Sequence, residues 1–142
     1  MIADELALVD TNVLVYAASP SAPQHQASRA LLESEVPGLC ATPQVFAEFY
    51  SIVTNRRRVT SPFTPVEAHT FITECSRWIR ILPISSAVVA RWADLAEHHR
   101  IIGPDVFDLQ IVVTMLEHGV HRIYTFNRAD FERYPEIQVL VP

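Results

Sequence analysis

The sequence predicts an α/β fold in which a mainly parallel central sheet has helices on both faces. Two observations lead to this prediction. Short apolar runs of strand length alternate along the chain with longer amphipathic segments, and helices of about 10–15 residues between strands are typical of parallel sheets. The first run, residues 6–9, is apolar at every position, as expected for a strand that is buried on both faces.

The remaining elements follow from the same patterns. The predicted strands are the short apolar runs at residues 6–9, 39–41, 79–83, 122–125 and 138–141. The predicted helices show apolar residues at helical spacing, and some begin at a proline or end at a glycine; they cover residues 12–18, 24–35, 43–57, 65–77, 86–99, 105–118 and 129–131. Without repeats or linkers, the 142 residues are predicted to form a single domain, 1–142.

Composition limits the possible functions. The formal net charge is −5, which argues against a passive RNA-binding module because such modules are usually basic. An acidic chain is compatible with a metallonuclease, whose carboxylates are neutralised by bound cations. No apolar run reaches the length of a membrane span, and residues 1–10 carry no basic segment of a secretory signal. We therefore expect a cytoplasmic protein in which Cys40 and Cys75 are free thiols.

Two acids in the first half of the chain are candidate site residues. Asp10 directly follows the first strand, at the carboxyl edge of the sheet, where ligands of such folds bind. Taken alone, Asp10 is better explained by a capping role, in which Asp10 or Thr11 caps the next helix. Glu48 lies beside the apolar face of the helix 43–57, so it is either a site residue or a boundary glutamate with its carboxylate in water.

Asp108 is the most informative acid. It shares a helix face with Val112 and Met115, in a segment that is apolar nearly all round. The helix dipole would stabilise its charge by only about 0.3–1 kcal/mol, whereas an unpaired buried carboxylate costs far more. A divalent cation would compensate for that cost. The alternative is a capping box, with Asp105 as the cap and Asp108 as its third residue.

A further group of polar residues follows the strand 122–125. Thr125, Asn127 and Asp130 are expected to line the same edge of the sheet as Asp10. The spacing of Asn127 and Asp130 also fits a helix cap. Asp105 is a weaker candidate, because we expect it to cap the helix that carries Asp108.

Carboxylates that converge from separate segments suit one kind of chemistry. Mg²⁺ and Mn²⁺ prefer oxygen ligands, and Mg²⁺ commonly takes one or two carboxylates while keeping several waters. One or two such ions can activate water and stabilise a phosphodiester displacement. No Cys/His cluster in the sequence offers a zinc site.

These residues resemble the motifs of the PIN-domain family and, within it, the VapC-type toxins. The opening VDTNVLVYAA resembles the first motif, a strand followed by Asp-Thr-Asn (Asp10, Thr11 and Asn12). The stretch TPQVFAEFYSIVT resembles the second, a helix that carries a glutamate. The third motif and the end of the domain are matched by the segment from Gly103 to Pro142. The three occur in the family's order and spacing.

The resemblance implies a fold, a site and partners. It implies a PIN-like fold with a five-stranded parallel sheet, and it matches Asp10, Glu48 and Asp108 to the three nearly universal acids. Thr11 and Thr125 match hydroxyl positions near the metal. Asn127 departs from the aspartate that is common there, and we favour Asp130 as the fourth catalytic residue over Asn127 or Asp105. VapC-type toxins are usually homodimers that cleave tRNA, rRNA or mRNA and are inhibited by a VapB-type antitoxin.

The leading hypothesis is therefore an endoribonuclease toxin that hydrolyses RNA with metal-activated water. The expected metal ligands are Asp10, Glu48 and Asp108, and the expected metal is Mg²⁺, with Mn²⁺ as a substitute. Arg56, Arg57 and Arg58 form a basic run that reads first as solvated charge at a helix end and second as a grip on RNA phosphates. The alternatives are a catalytically silent PIN-like module that binds RNA or protein, and a DNA nuclease of the same fold.

Overall fold

The structure is a computed structural model that describes residues 5–34 and 38–142. Its strands form one sheet, and their bounds are β1 (Leu6–Val9), β2 (Gly38–Ala41), β3 (Arg80–Ile81), β4 (Arg122–Tyr124) and β5 (Gln138–Leu140). The strand order is β3-β2-β1-β4-β5, and each neighbouring pair is parallel. The predicted five-stranded parallel sheet is confirmed, and β1 lies at its centre.

Seven helices connect and cover the strands within the described ranges. They are α1 (Thr11–Ala17), α2 (His25–Leu32), α3 (Pro43–Val53), α4 (Pro65–Cys75), α5 (Val88–His98), α6 (Asp105–Glu117) and α7 (Arg128–Phe131). Proline at the first turn starts α3 and α4, where Thr42 and Thr64 cap the helices with their hydroxyl groups. Of the predictions, residues 1–4 of the amino-terminal segment and the helix end at Glu35 lie outside the described residues.

Two predicted elements are shorter in the structure. The α3 helix ends at Val53 rather than at residue 57, because the chain folds back and the amide of Phe63 donates to the Val53 carbonyl at 2.7 Å. The β3 strand has two residues rather than the five predicted at 79–83. The amide of Ile79 still bonds to the Cys75 carbonyl in the preceding turn, and Pro83 has no amide hydrogen to donate.

The expectation that Asp105 caps α6 is wrong. The capping position is Pro104, and Asp105 is the first residue of the helix. Backbone carbonyls serve the first free amides instead, since Val106 and Phe107 donate to Gly103 and Pro104 at 3.2 and 3.1 Å. The Asp105 carboxylate accepts a hydrogen bond of 3.4 Å from Arg133, so the proposed capping box with Asp108 is absent as well.

The hydrophobic core lies against both faces of the central strand. Three of the four β1 side chains have no exposed surface and Leu6 is 4% exposed, so both faces of this strand are covered. The α6 helix buries six residues, including Leu109 and every position from Ile111 to Met115.

Cys40 is buried, Cys75 is half-buried, and both are free, as predicted. Within the described ranges, no helix combines the length and apolarity needed to cross a membrane.

Candidate active site

Asp10 is held in place by three hydrogen bonds where β1 ends. One carboxylate oxygen accepts from the Thr11 amide at 2.8 Å, and the other accepts from the Thr125 hydroxyl at 2.8 Å and the Asn12 amide group at 3.0 Å. Asp10 is also the amino-terminal cap of α1, so its capping role and its place at the sheet edge occur together. Only 6% of the residue is exposed, and the orientation of its carboxylate is therefore fixed by the fold.

Thr125 and Asn12 form the support of this carboxylate. Besides donating to Asp10, the Thr125 hydroxyl accepts from the Asn12 side chain and from the backbone amide of Asn127, both at 3.0 Å. The side-chain Oδ1 of Asn12 accepts from the backbone amide of Phe126 at 3.1 Å. Residues from two neighbouring strand ends, β1 and β4, are thereby joined into one polar network.

Glu48 is half-buried on α3 and faces the first residue of α1. Its Oε2 accepts from the Thr11 hydroxyl at 3.2 Å, and its Oε1 accepts from Gln44 Nε2 at 2.7 Å. Thr11 therefore touches both acids, through its backbone amide to Asp10 and through its hydroxyl to Glu48. This arrangement brings the first two motifs of the sequence to the same place.

Asp108 differs from Asp10 because every cause that shifts its pKa raises it. It lies in the first turn of α6, half-buried, and its pKa is raised from 3.8 to about 7. Burial is the largest cause, followed by the negative charges of Asp10, Asp130, Glu48 and Asp105. Burial also raises the pKa of Asp10, with smaller contributions from Glu48 and Asp130, although the hydrogen bonds from Thr125 and Thr11 oppose the shift.

The other candidates separate into near and distant residues. Asp130 is exposed at α7, yet its charge acts on both Asp10 and Asp108. Asn127 contributes its backbone amide to Thr125, and its side chain makes no capping hydrogen bond to α7. Asp105 is exposed and paired with Arg133. The run Arg56, Arg57 and Arg58 is exposed beyond the end of α3, and none of its charges is among the causes that shift the pKa values of Asp10 or Asp108.

The acids that act on one another suit a hydrated Mg²⁺ ion. Over residues 5–34 and 38–142, no three His, Cys, Asp or Glu side chains are grouped so that they could hold a metal on their own. Mg²⁺ needs no such cage, because it commonly uses one or two carboxylates and retains water. All the causes acting on Asp108 are burial and negative charge, so a cation at this position would offset an existing electrostatic cost. The donor set, which consists of oxygen atoms, therefore fits Mg²⁺ or Mn²⁺.

Two glutamines of this region were missed from the sequence. Gln44 contacts Glu48, and Gln110 donates to Gln44 Oε1 at 2.6 Å. The position of Gln44, four residues before Glu48 on a predicted helix, could have indicated the first contact. The second depends on how α3 and α6 approach each other, and the sequence contains no signal for that.

Comparisons with known proteins agree with this fold. A family model of the PIN domain matches residues 7–137. Over 124 residues, the chain is 32% identical to Ribonuclease VapC24 of Mycobacterium tuberculosis, covering 84% of each protein.

Solved structures show the same architecture at lower identity. One is M. tuberculosis VapC20, described as a Sarcin-Ricin loop cleaving toxin, with a TM-score of 0.74 and 14% identity over 96% of this chain and 99% of that one. A toxin–antitoxin complex from Klebsiella pneumoniae has a TM-score of 0.68 and 20% identity, over 96% of this chain and 97% of the other. With its three motifs, its five-stranded sheet and the family match over most of its length, the chain belongs to the PIN domain family.

Proposed function

We propose that this protein is a Mg²⁺-dependent endoribonuclease and the toxin of a VapBC-type toxin–antitoxin pair. The proposal is supported by Thr11, which contacts both Asp10 and Glu48, and by the burial and the negative charges of Asp10, Asp130 and Glu48 that raise the pKa of Asp108. The 32% identity to a protein named Ribonuclease VapC24 supports RNA as the substrate class. We further propose that residues 1–142 are one domain and that the protein acts in the cytoplasm, where RNA is available.

In this proposal, Asp10, Glu48 and Asp108 bind the metal, directly or through waters, and Asp130 assists from the open side. Bound Mg²⁺ would supply positive charge for the phosphate oxygens and acidify a coordinated water. The chain itself fixes the geometry: Thr11, Asn12 and Thr125 orient the Asp10 carboxylate before any substrate arrives. Hydrolysis joins the water oxygen to phosphorus, breaks one phosphorus–oxygen bond of the RNA backbone and returns a proton to the departing oxygen.

A cleavage assay tests the proposal against its two rivals. Purified protein, freed of any bound antitoxin, should cut RNA in MgCl₂ and stop when EDTA is added. Asp108→Asn is the matched inactive control, because it removes one carboxylate with little change in side-chain size. Failure to cut RNA with Mg²⁺ or Mn²⁺ would favour the catalytically silent module. Faster cutting of single- or double-stranded DNA than of RNA would favour the DNA nuclease.

The partner of the proposed toxin is a VapB-type antitoxin. Solved structures of the same fold include VapBC complexes from Rickettsia felis and Haemophilus influenzae, which supports a protein inhibitor for this chain. A small DNA-binding protein encoded beside the gene for this chain should form a stable complex with the chain and stop RNA cleavage. We also propose a homodimer, and light scattering should then give twice the mass of 16.0 kDa.

The basic run after α3 is proposed as a secondary contact for RNA. Arg56 lines an open groove of about 750 Å³ together with Tyr50, Asn55 and Phe63, so a cation and two aromatic rings border one depression. Neutralising Arg56, Arg57 and Arg58 together should weaken RNA binding and reduce its salt dependence, since phosphate contacts release counterions. Unchanged binding at low and high salt would leave the run as solvated surface charge.

A further inference from the structure

Two helices that carry site acids are joined by a chain of side-chain hydrogen bonds outside the acids themselves. Gln110 on α6 donates from Nε2 to Gln44 Oε1 at 2.6 Å. Gln44 on α3 donates from Nε2 to Glu48 Oε1 at 2.7 Å and to the Phe107 carbonyl at 3.0 Å. We name this set of contacts the glutamine relay. It connects the helix of Asp108 to the carboxylate of Glu48.

The Gln44 amide has one favourable orientation. Its two amide hydrogens point to two acceptors, the Glu48 carboxylate and the Phe107 carbonyl, and its oxygen accepts from Gln110. Turning the amide over would place its oxygen against both acceptors and its hydrogens against the Gln110 donor. The relay therefore fixes which atom of Gln44 faces Glu48.

Glu48 is thereby held at both oxygens. Oε1 receives the Gln44 hydrogen bond and Oε2 receives that of Thr11. A carboxylate oxygen has room for more than one partner, so each retains an acceptor site. A half-buried glutamate without these bonds would have several rotamers available, and fixing it would cost side-chain entropy at the moment of binding.

We propose that Gln44 is a positioning residue for the reaction, and that Gln110 acts through it by holding its amide in the orientation that Glu48 needs. This inference rests on the proposed function, because it assigns the relay to the same site. It adds two residues whose proposed role is to orient Glu48 rather than to bind RNA or metal. Since the relay begins two residues after Asp108, it sets the position of Glu48 relative to the helix of Asp108.

The test uses the full chain and a series of glutamine variants. Gln44→Met keeps the length of the side chain and removes its hydrogen bonds, and Gln110→Met removes the donor to Gln44. Partners of metal ligands are typically worth about 10–100-fold, so we expect kcat on a labelled RNA oligonucleotide to fall about tenfold or more for Gln44→Met. We expect a smaller loss for Gln110→Met and KM within about twofold of wild type for both.

A double variant separates the relay from two independent effects. If Gln110 acts through Gln44, the variant Gln44→Met/Gln110→Met should be no slower than Gln44→Met alone. Gln44→Glu should be slower than Gln44→Met, because it sets a second carboxylate against Glu48. Additive losses in the double variant, or faster cleavage by Gln44→Glu than by Gln44→Met, would overturn the role proposed for the relay.

A binding measurement that does not use activity completes the test. Calorimetric titration of the free protein with MgCl₂ or MnCl₂ should show a metal affinity about tenfold weaker for Gln44→Met than for wild type. Gln26→Met, an exposed glutamine on α2, is the control for the exchange itself. If wild type binds the metal and cuts RNA while Gln44→Met matches it in both, the relay alone is wrong. If wild type binds no metal and cuts no RNA, the proposed function is wrong and the relay has no reaction to serve.

Discussion

The negative charge of Asp10 adds to the burial that raises the pKa of Asp108, but the fold treats the two acids in opposite ways. Asp10 is 6% exposed and accepts three hydrogen bonds from residues of two strand ends. Asp108 is half-buried among four negative charges, and its pKa is raised to about 7. Hydrogen bonds position the first acid in advance, whereas burial and neighbouring negative charges disfavour the ionised form of the second. In the proposed nuclease, the site therefore has one carboxylate that the fold fixes in advance and one whose charge a bound cation would offset.

The largest expected effect comes from replacing either acid by its amide. We expect Asp10→Asn and Asp108→Asn to lower RNA cleavage by about 10³-fold or more, above the 10–100-fold typical of residues that only support metal ligands. The two variants should differ in stability. Asp108→Asn removes a repelled charge and should raise the melting temperature of the metal-free protein. Asp10→Asn sets an amide donor against a donor and should lower it.

Melting curves in EDTA compare the two variants directly. Wild-type protein in the same buffer is the reference, and MgCl₂ should stabilise wild type and neither variant. Melting temperatures of both variants above, or both below, that of wild type would contradict the predicted difference. Cleavage of RNA by Asp108→Asn at the wild-type rate would contradict the role proposed for Asp108.

The support of Asp10 gives the next effect. Thr125→Val keeps the shape of the side chain but leaves the Asn12 amide group and the Asn127 amide without their shared acceptor. We expect a loss of about 1–3 kcal/mol in the free energy of unfolding, the usual cost of unpaired buried groups. RNA cleavage should fall about 10–100-fold. Thr125→Ser retains the hydroxyl and should recover most of both, as urea unfolding and cleavage rates can measure.

The contribution of Asp130 to the reaction can be compared with that of Asn127. Asp130 adds charge to both Asp10 and Asp108, whereas Asn127 contributes only a backbone amide to the network. We expect Asp130→Ala to slow cleavage about tenfold, at the low end of the range for partners of metal ligands. Asn127→Ala should do less, because the backbone amide remains. Initial rates at saturating Mg²⁺ measure both, and the reverse order would make Asn127 the fourth site residue.

The smallest expected effect is a dependence of stability on pH in the metal-free protein. In the folded chain, Asp108 holds its proton up to about pH 7, whereas in the unfolded chain it releases the proton near its usual pKa of 3.8. Folding is therefore opposed increasingly as the pH rises between these two values. Because Asp108 is only half-buried, screening reduces the cost to about 1–2 kcal/mol.

Urea unfolding at pH 4.5 and pH 7.5 measures this dependence. The stability of Asp108→Asn relative to wild type should grow with pH across that window. This difference isolates Asp108 from the other groups that titrate. An equal stability difference at the two pH values would mean that ionisation of Asp108 does not oppose folding.

The sequence predicted the strands, their parallel arrangement and the strand ends that bear Asp10 and Thr125. Those features depend on local apolar runs, which a sequence displays directly. The acid on α6 could also be found, because Asp108 interrupts an apolar helix. The roles of Gln44 and Gln110 could not, because their hydrogen bonds depend on the approach of helices far apart in the chain. The cap assigned to Asp105 was wrong because Pro104 and Gly103 supply backbone acceptors instead.

The hydrogen bond between Asp10 and Thr125 joins residues 115 positions apart. During synthesis, Asp10, Glu48 and Asp108 all leave the ribosome before Thr125 does. The central strand cannot gain its neighbour β4, or the support of its carboxylate, until that later segment is free to pair. In the proposed nuclease, we therefore expect a nascent chain that ends before Thr125 to leave intact the mRNA from which it is being made.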